Sequence, residues 1–188
     1  MTGWEAPRVS RFASTPCGPF PVCYPLPMNL AYLHPMFVHF PVALSLVGTG
    51  LLGWGTLRRQ PLTVRAGLVV LCLAAVLSIP TYITGEVARS VMEDQAQFMR
   101  APALLDRHED LGLYSMAALI ALGILSGIAL IRKEYEGQSL WTIAVLALAV
   151  AVLVAVTAFY GGRLVFEEGI GVSHVASAPA TPRAGTRP

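Results

Sequence analysis

The stretch FVHFPVALSLVGTGLLGWGTL (Phe37–Leu57) decides the fold. It holds no Asp, Glu, Lys or Arg. It is apolar all round rather than along one stripe, which suits a helix surrounded by lipid. A bilayer crossing needs about 20 such residues. Three more runs have that length: Val64–Thr84, Leu111–Ile131 and Leu140–Tyr160. One run alone would fit the core helix of a soluble protein. Four in 188 residues, with almost no amphipathic sequence to cover them, predict an all-α polytopic membrane protein, a four-helix up-down bundle.

Composition points the same way. The chain is 55% hydrophobic and 13% charged, with a mean hydropathy of +0.62. The net charge is only +2 and no basic stripe runs through it. That excludes nucleic acid as a partner and leaves the lipid bilayer. Three parts follow: a proline-rich N-terminal tail (1–33), a transmembrane domain (34–172) and a disordered tail rich in Ala, Pro and Thr (173–188). Prolines break the first 28 residues, which offer no continuous apolar signal-peptide core. Met28 is an alternative start, because the organised sequence begins there. Cys17 and Cys23 suit a disulfide if the tail is exported. Cys72 reads as a small packing residue.

Charge sets the expected topology. The first short loop holds Arg58, Arg59 and Arg65, and the third holds Arg132 and Lys133. The positive-inside rule puts both in the cytoplasm, with the two termini outside. The loop between helices 2 and 3 is longer and mixed in charge. Val87, Val91 and Phe98 recur there near helical spacing, so it reads either as a short surface helix ended by Pro102 or as a plain connection. Gly50 and Gly53 in helix 1, and Gly123 and Gly127 in helix 3, are expected to allow close helix contact. No internal repeat emerges, although helices 1 and 3 both start beside a histidine.

All four histidines, His34, His39, His108 and His174, fall on the outer side of this bundle. Ionisable residues near membrane depth mark function, and histidine is the commonest metal ligand. Two of them lie in His34-Pro35-Met36-Phe37-Val38-His39-Phe40-Pro41. Pro35 suits a first helical turn, which makes His34 a cap-like surface residue and puts His39 one turn deeper. Five residues separate the two by about 140° of helix, so they do not grip one ion together. Pro41 removes a backbone hydrogen bond and frees the carbonyl of Phe37, which must find a partner in lipid.

The chemistry expected is bis-histidine ligation of haem b by His39 and His108. Neutral imidazoles are favoured near helix N-termini. Helices 1 and 3 are diagonal in an up-down bundle, which leaves room for a cofactor between them. Gly112 and Ser115 give the His108 face small residues, and Glu109 is a candidate partner for a ring N–H. Arg163, Arg107 and Arg100 are candidates for the propionates. His34 and His174 are further candidate ligands.

The phrase His34–Pro41 resembles the opening of a bacterial family of predicted four-helix membrane proteins, a cytochrome b-like domain of unknown function. The resemblance continues in Thr84-Gly85, in His108, and in Gly161-Gly162-Arg163-Leu164-Val165 with Gly169-Ile170-Gly171-Val172, covering about residues 30–172. In relatives the position of Glu168 often looks like histidine. Some relatives look fused to Rieske-type or cytochrome c-type modules, which implies a redox setting.

The function expected is therefore a membrane-anchored haem b electron-transfer subunit, working with a redox protein or inside a larger membrane complex. The alternatives are a non-haem metal-binding or transport protein, or a structural subunit. No phosphate loop, nucleophile elbow or carboxylate pair is present, which speaks for an accessory subunit rather than an enzyme with its own substrate.

Overall fold

The computed structural model describes residues 30–92, 101–133, 135 and 137–170. A single 3-10 turn (Leu30–Leu33) leads into α1 (His34–Phe37) and α2 (His39–Arg58). Three long helices follow: α3 (Pro61–Met92), α4 (Pro102–Arg132) and α5 (Gln138–Phe166). Four helical segments are long and apolar enough to cross a membrane: Ala31–Arg58, Pro61–Val91, Pro102–Arg132 and Gln138–Phe166. The expected four-helix membrane architecture is what the chain adopts.

The first span is nominally broken at Val38, yet Val38 keeps helical angles (φ −60°, ψ −27°). The gap is the missing amide of Pro41, whose would-be acceptor is Phe37 O. Thr81 fills it, sharing its hydroxyl proton between Leu77 O at 2.8 Å and Phe37 O at 3.2 Å. The carbonyl freed by Pro41 thus finds a partner on α3. α3 runs on through Pro80 without interruption.

α2 packs against α3 and α5, and α4 packs against the same two helices. α2 and α4 are therefore diagonal, as are α3 and α5. Glycines set the closest approaches. A Cβ on Gly55 would lie 2.6 Å from Val64 N, and one on Gly67 2.6 Å from Leu52 N. Only a bare backbone fits at such a crossing. Gly123 is equally tight against Ala75, as its sequence position suggested, and Gly127 just reaches Cys72 Sγ at 4.0 Å. Gly50 and Gly53 instead meet nothing within 4 Å. Leu52, Leu68, Leu71, Leu119 and Leu140 fill the interior, and large apolar residues such as Val76, Ile124, Val145 and Leu148 cover the outside.

Two boundaries differ from expectation. α4 begins at Pro102, so His108 lies inside the helix rather than before it. Val87 and Val91 continue α3 instead of forming a separate surface helix; Phe98 lies outside the described residues. Both differences have one cause. Hydropathy marks where lipid ends, whereas the helices continue past that depth as polar, paired turns.

The fold also contains a repeat that the residue identities conceal. Measured from each histidine, the buried positions of α2 recur in α4: Pro41 with Ser115, Ser45 with Leu119, Gly48 with Leu122, Leu52 with Ser126, Gly55 with Ala129. The C-caps match as well. Arg59 and Lys133 are both left-handed (φ 51° and 57°), each with its N–H turned back on the last helical carbonyls. α3 and α5 match through Val64 with Leu140, Leu71 with Ala147 and Ala75 with Ala151. Two helical hairpins are thus related by a pseudo-two-fold axis along the bundle, an arrangement known in other polytopic membrane proteins.

Candidate functional site: a duplicated histidine cradle

The repeat is sharpest around two histidines. His34 Nδ1 lies 3.0 Å from Thr81 O, and His108 Nδ1 lies 3.1 Å from Thr157 O. Thr81 follows His34 by 47 residues, and Thr157 follows His108 by 49. A carbonyl oxygen only accepts, so the Nδ1–H of each imidazole is the donor. The neutral ring then carries its lone pair on Nε2. Among the described residues, neither Nε2 has a hydrogen bond.

Each ring also lies against a glycine one turn beyond its threonine. A Cβ on Gly85 would sit 3.0 Å from His34 Cε1, and one on Gly161 2.9 Å from His108 Cε1. The recurring element is Thr-x-x-x-Gly, Thr81 to Gly85 and Thr157 to Gly161. The threonine hydroxyls repeat too. Thr157 shares its proton with Leu153 O (3.0 Å) and Leu111 O (3.2 Å), as Thr81 does with Leu77 O and Phe37 O. Where the first half has Pro41, the second has Ser115, whose hydroxyl lies 2.7 Å from Thr157 Oγ1.

His34 is thereby half-buried within a helix, not a cap-like residue on the surface. His39, expected to be the deeper ligand, is exposed. The physical reason is rotation. Thr81 and Gly85 of α3 hold His34 against the bundle, and the turn of helix between the two histidines carries His39 away from it. His34 and His108 occupy the same end of the bundle on its first and third spans.

The remaining candidates lie apart from this pair. Glu109 is not the partner of a ring N–H; it pairs with Arg89 and ties α4 to α3 beside His108. Arg163 is bound to Glu167, with both guanidinium contacts at 2.8 Å, and the guanidinium holds the Glu167 carboxyl below the usual range. Arg107 is exposed, and Gly112 is open. Glu168 is half-buried after α5. His174 and Arg100 lie outside the described residues. Among those residues, no group of three or more His, Cys, Asp and Glu comes together. The reading from sequence found both histidines but missed Thr81 and Thr157. The signal available was the shared Thr-x-x-x-Gly spacing.

These features define a class: a four-helix membrane protein of two repeated hairpins, with paired imidazoles at one end. The chain belongs to the family described as a predicted membrane protein (DUF2231), whose model matches residues 31–174. No curated protein and no solved structure matches it.

Proposed function

We propose that this protein is a membrane-embedded haem b electron carrier whose iron ligands are Nε2 of His34 and Nε2 of His108. The observation that carries the reading is the fixed tautomer. Each Nδ1–H is held by a main-chain oxygen of the neighbouring helix, the outer-shell arrangement that orients metal-binding histidines. Glycine under each ring lets the imidazole sit against backbone and keeps it from turning.

The number of donors favours haem. A porphyrin supplies four of six iron positions, so two imidazoles complete the set. A structural zinc takes four protein ligands and a catalytic one takes three. When bound, haem b supplies a one-electron iron couple. The chain's own groups hold the two ring protons at Nδ1 and keep both Nε2 lone pairs available. This reading moves the first-span ligand from His39 to His34. Arg107, exposed one residue before His108, is a candidate for a propionate. A redox protein partner, or a larger complex, would meet the histidine end; the loop charge bias supports the outer face for it, and the setting proposed is a bacterial inner membrane.

The test is an oxidised and a reduced optical spectrum of the full chain, made with a haem precursor and purified in detergent without chelator. A Soret band with low-spin reduced bands is expected for wild type and His39→Ala. His34→Ala and His108→Ala are expected to lose it. Folded wild-type protein without a Soret band overturns the haem reading. Stoichiometric copper or zinc by elemental analysis would then transfer the histidine pair to a non-haem site, and no bound metal would leave the pair a packing role.

A further inference from the structure

The pseudo-two-fold axis that relates the two hairpins also relates the two histidine cradles. His34 lies seven residues before Pro41 and His108 seven before Ser115, and both of those later positions are buried. Seven residues make about two turns, so both rings stand on the interior side of their helices. Each is held by the same two contacts, a threonine carbonyl at Nδ1 and a glycine against the ring. The axis therefore makes the two Nε2 lone pairs equivalent.

We infer that this chain takes haem b in two face orientations, and that the Thr84/Tyr160 pair sets the balance between them. The inference rests on the haem reading given above. Two axial imidazoles bind iron from opposite sides. Because a two-fold axis exchanges them, the iron lies on that axis and the N–Fe–N line crosses it at a right angle. The porphyrin plane, normal to that line, contains the axis. Half a turn about the axis swaps the two faces of the macrocycle and leaves iron, ligands and cradles as they were. Charged propionates are costly to bury, so the α–γ meso line of haem b follows the axis and points both of them out of the histidine end. The same half turn keeps them there. It changes only which side carries vinyl and which carries methyl.

The difference between the two orientations comes from positions where the hairpins differ. Beside the rings, that position is 84 in the first hairpin and 160 in the second. Thr84 is buried, with Oγ1 3.4 Å from His34 Nδ1. Its equivalent, one residue before Gly161, is Tyr160, a much larger side chain. Farther along the interior, Ser45 answers Leu119 and Ser78 answers Val154, all four buried. A vinyl exceeds a methyl by one carbon, so misplacing one changes the population by about fourfold. That is too little to exclude either orientation.

Proton NMR of the oxidised, haem-loaded full chain in detergent tests this, since paramagnetic iron spreads the haem methyl signals. Wild type should show two unequal sets, neither below about a tenth of the total. Loading with a symmetric protohaem isomer, whose vinyls and methyls match across the meso line, should leave one set. Tyr160→Thr makes the second cradle like the first and should bring the ratio toward one. Tyr160→Phe keeps the bulk and should leave the ratio unchanged. Circular dichroism and the Soret band check folding and loading, and Tyr160→Val is the substitute if Tyr160→Thr fails either. Folded wild type without a Soret band removes the haem reading and this inference together. A single set of signals from fully loaded wild type overturns the inference and leaves the reading standing. Two sets that persist with the symmetric isomer report two protein conformations and also overturn it. A ratio unmoved by Tyr160→Thr overturns the role given to Thr84 and Tyr160.

Discussion

The main-chain oxygen of Thr157 lies 3.1 Å from His108 Nδ1 and holds the ring proton there. Because the same contact recurs at the first histidine, the two rings are set by backbone geometry, not by an acidic side chain.

Glycine beneath each ring should be indispensable. Gly161→Ala places a Cβ 2.9 Å from His108 Cε1, and Gly85→Ala places one 3.0 Å from His34 Cε1. Each should cost about 1–3 kcal/mol through overpacking. Gly112→Ala and Gly162→Ala, with open space around them, should stay within about 0.5 kcal/mol of wild type. Denaturant titrations in detergent micelles measure both classes. A tolerated Gly161→Ala would mean that the ring is not held where the structure has it.

Thr81 should matter because of Pro41. Thr81→Val removes the hydroxyl from Phe37 O, a carbonyl that Pro41 has already deprived of its helical donor. Pro41→Ala restores that donor. The cost of Thr81→Val should fall by about 0.5–1.5 kcal/mol in the Pro41→Ala background. A double-mutant cycle of unfolding free energies reads this coupling, and additivity would refute it.

Glu109 should be dispensable to His108. Its carboxylate is spent on Arg89, and both side chains are about a third exposed (29% and 36%), so the pair should contribute at most about 1 kcal/mol. Glu109→Gln should leave the His108 ring signals in nitrogen-15 NMR where they are in wild type. A tautomer change on this substitution would show that the carboxylate, not Thr157 O, orients the ring.

The end of α5 should show a small acid dependence. Arg163 depresses the Glu167 pKa in the folded chain, so the bridge contributes stability above the ordinary glutamate value. That contribution fades as pH falls through the lower folded value. Thermal midpoints of wild type and Glu167→Gln should therefore differ slightly at neutral pH and converge in acid. A gap that widens on acidification would contradict the direction of the shift.

Sequence and structure divide this protein cleanly. Hydropathy determined four spans, because each is judged against lipid one residue at a time. The chain alone also showed which end the histidines occupy, and that the Phe37 carbonyl would need a donor. Helix rotation lay beyond it. Whether His34 or His39 turns inward depends on how α3 presents Thr81 and Gly85 across the first hairpin. The depth of that hairpin depends on the Gly55–Val64 and Gly67–Leu52 crossings. The repeat stayed hidden for the same reason. Its two halves share buried positions more than residues, Gly48 answering Leu122 and Ser45 answering Leu119, because packing conserves the shape of a contact through different pairs of side chains. Only the assembled bundle brings those positions, and the two imidazoles, into register.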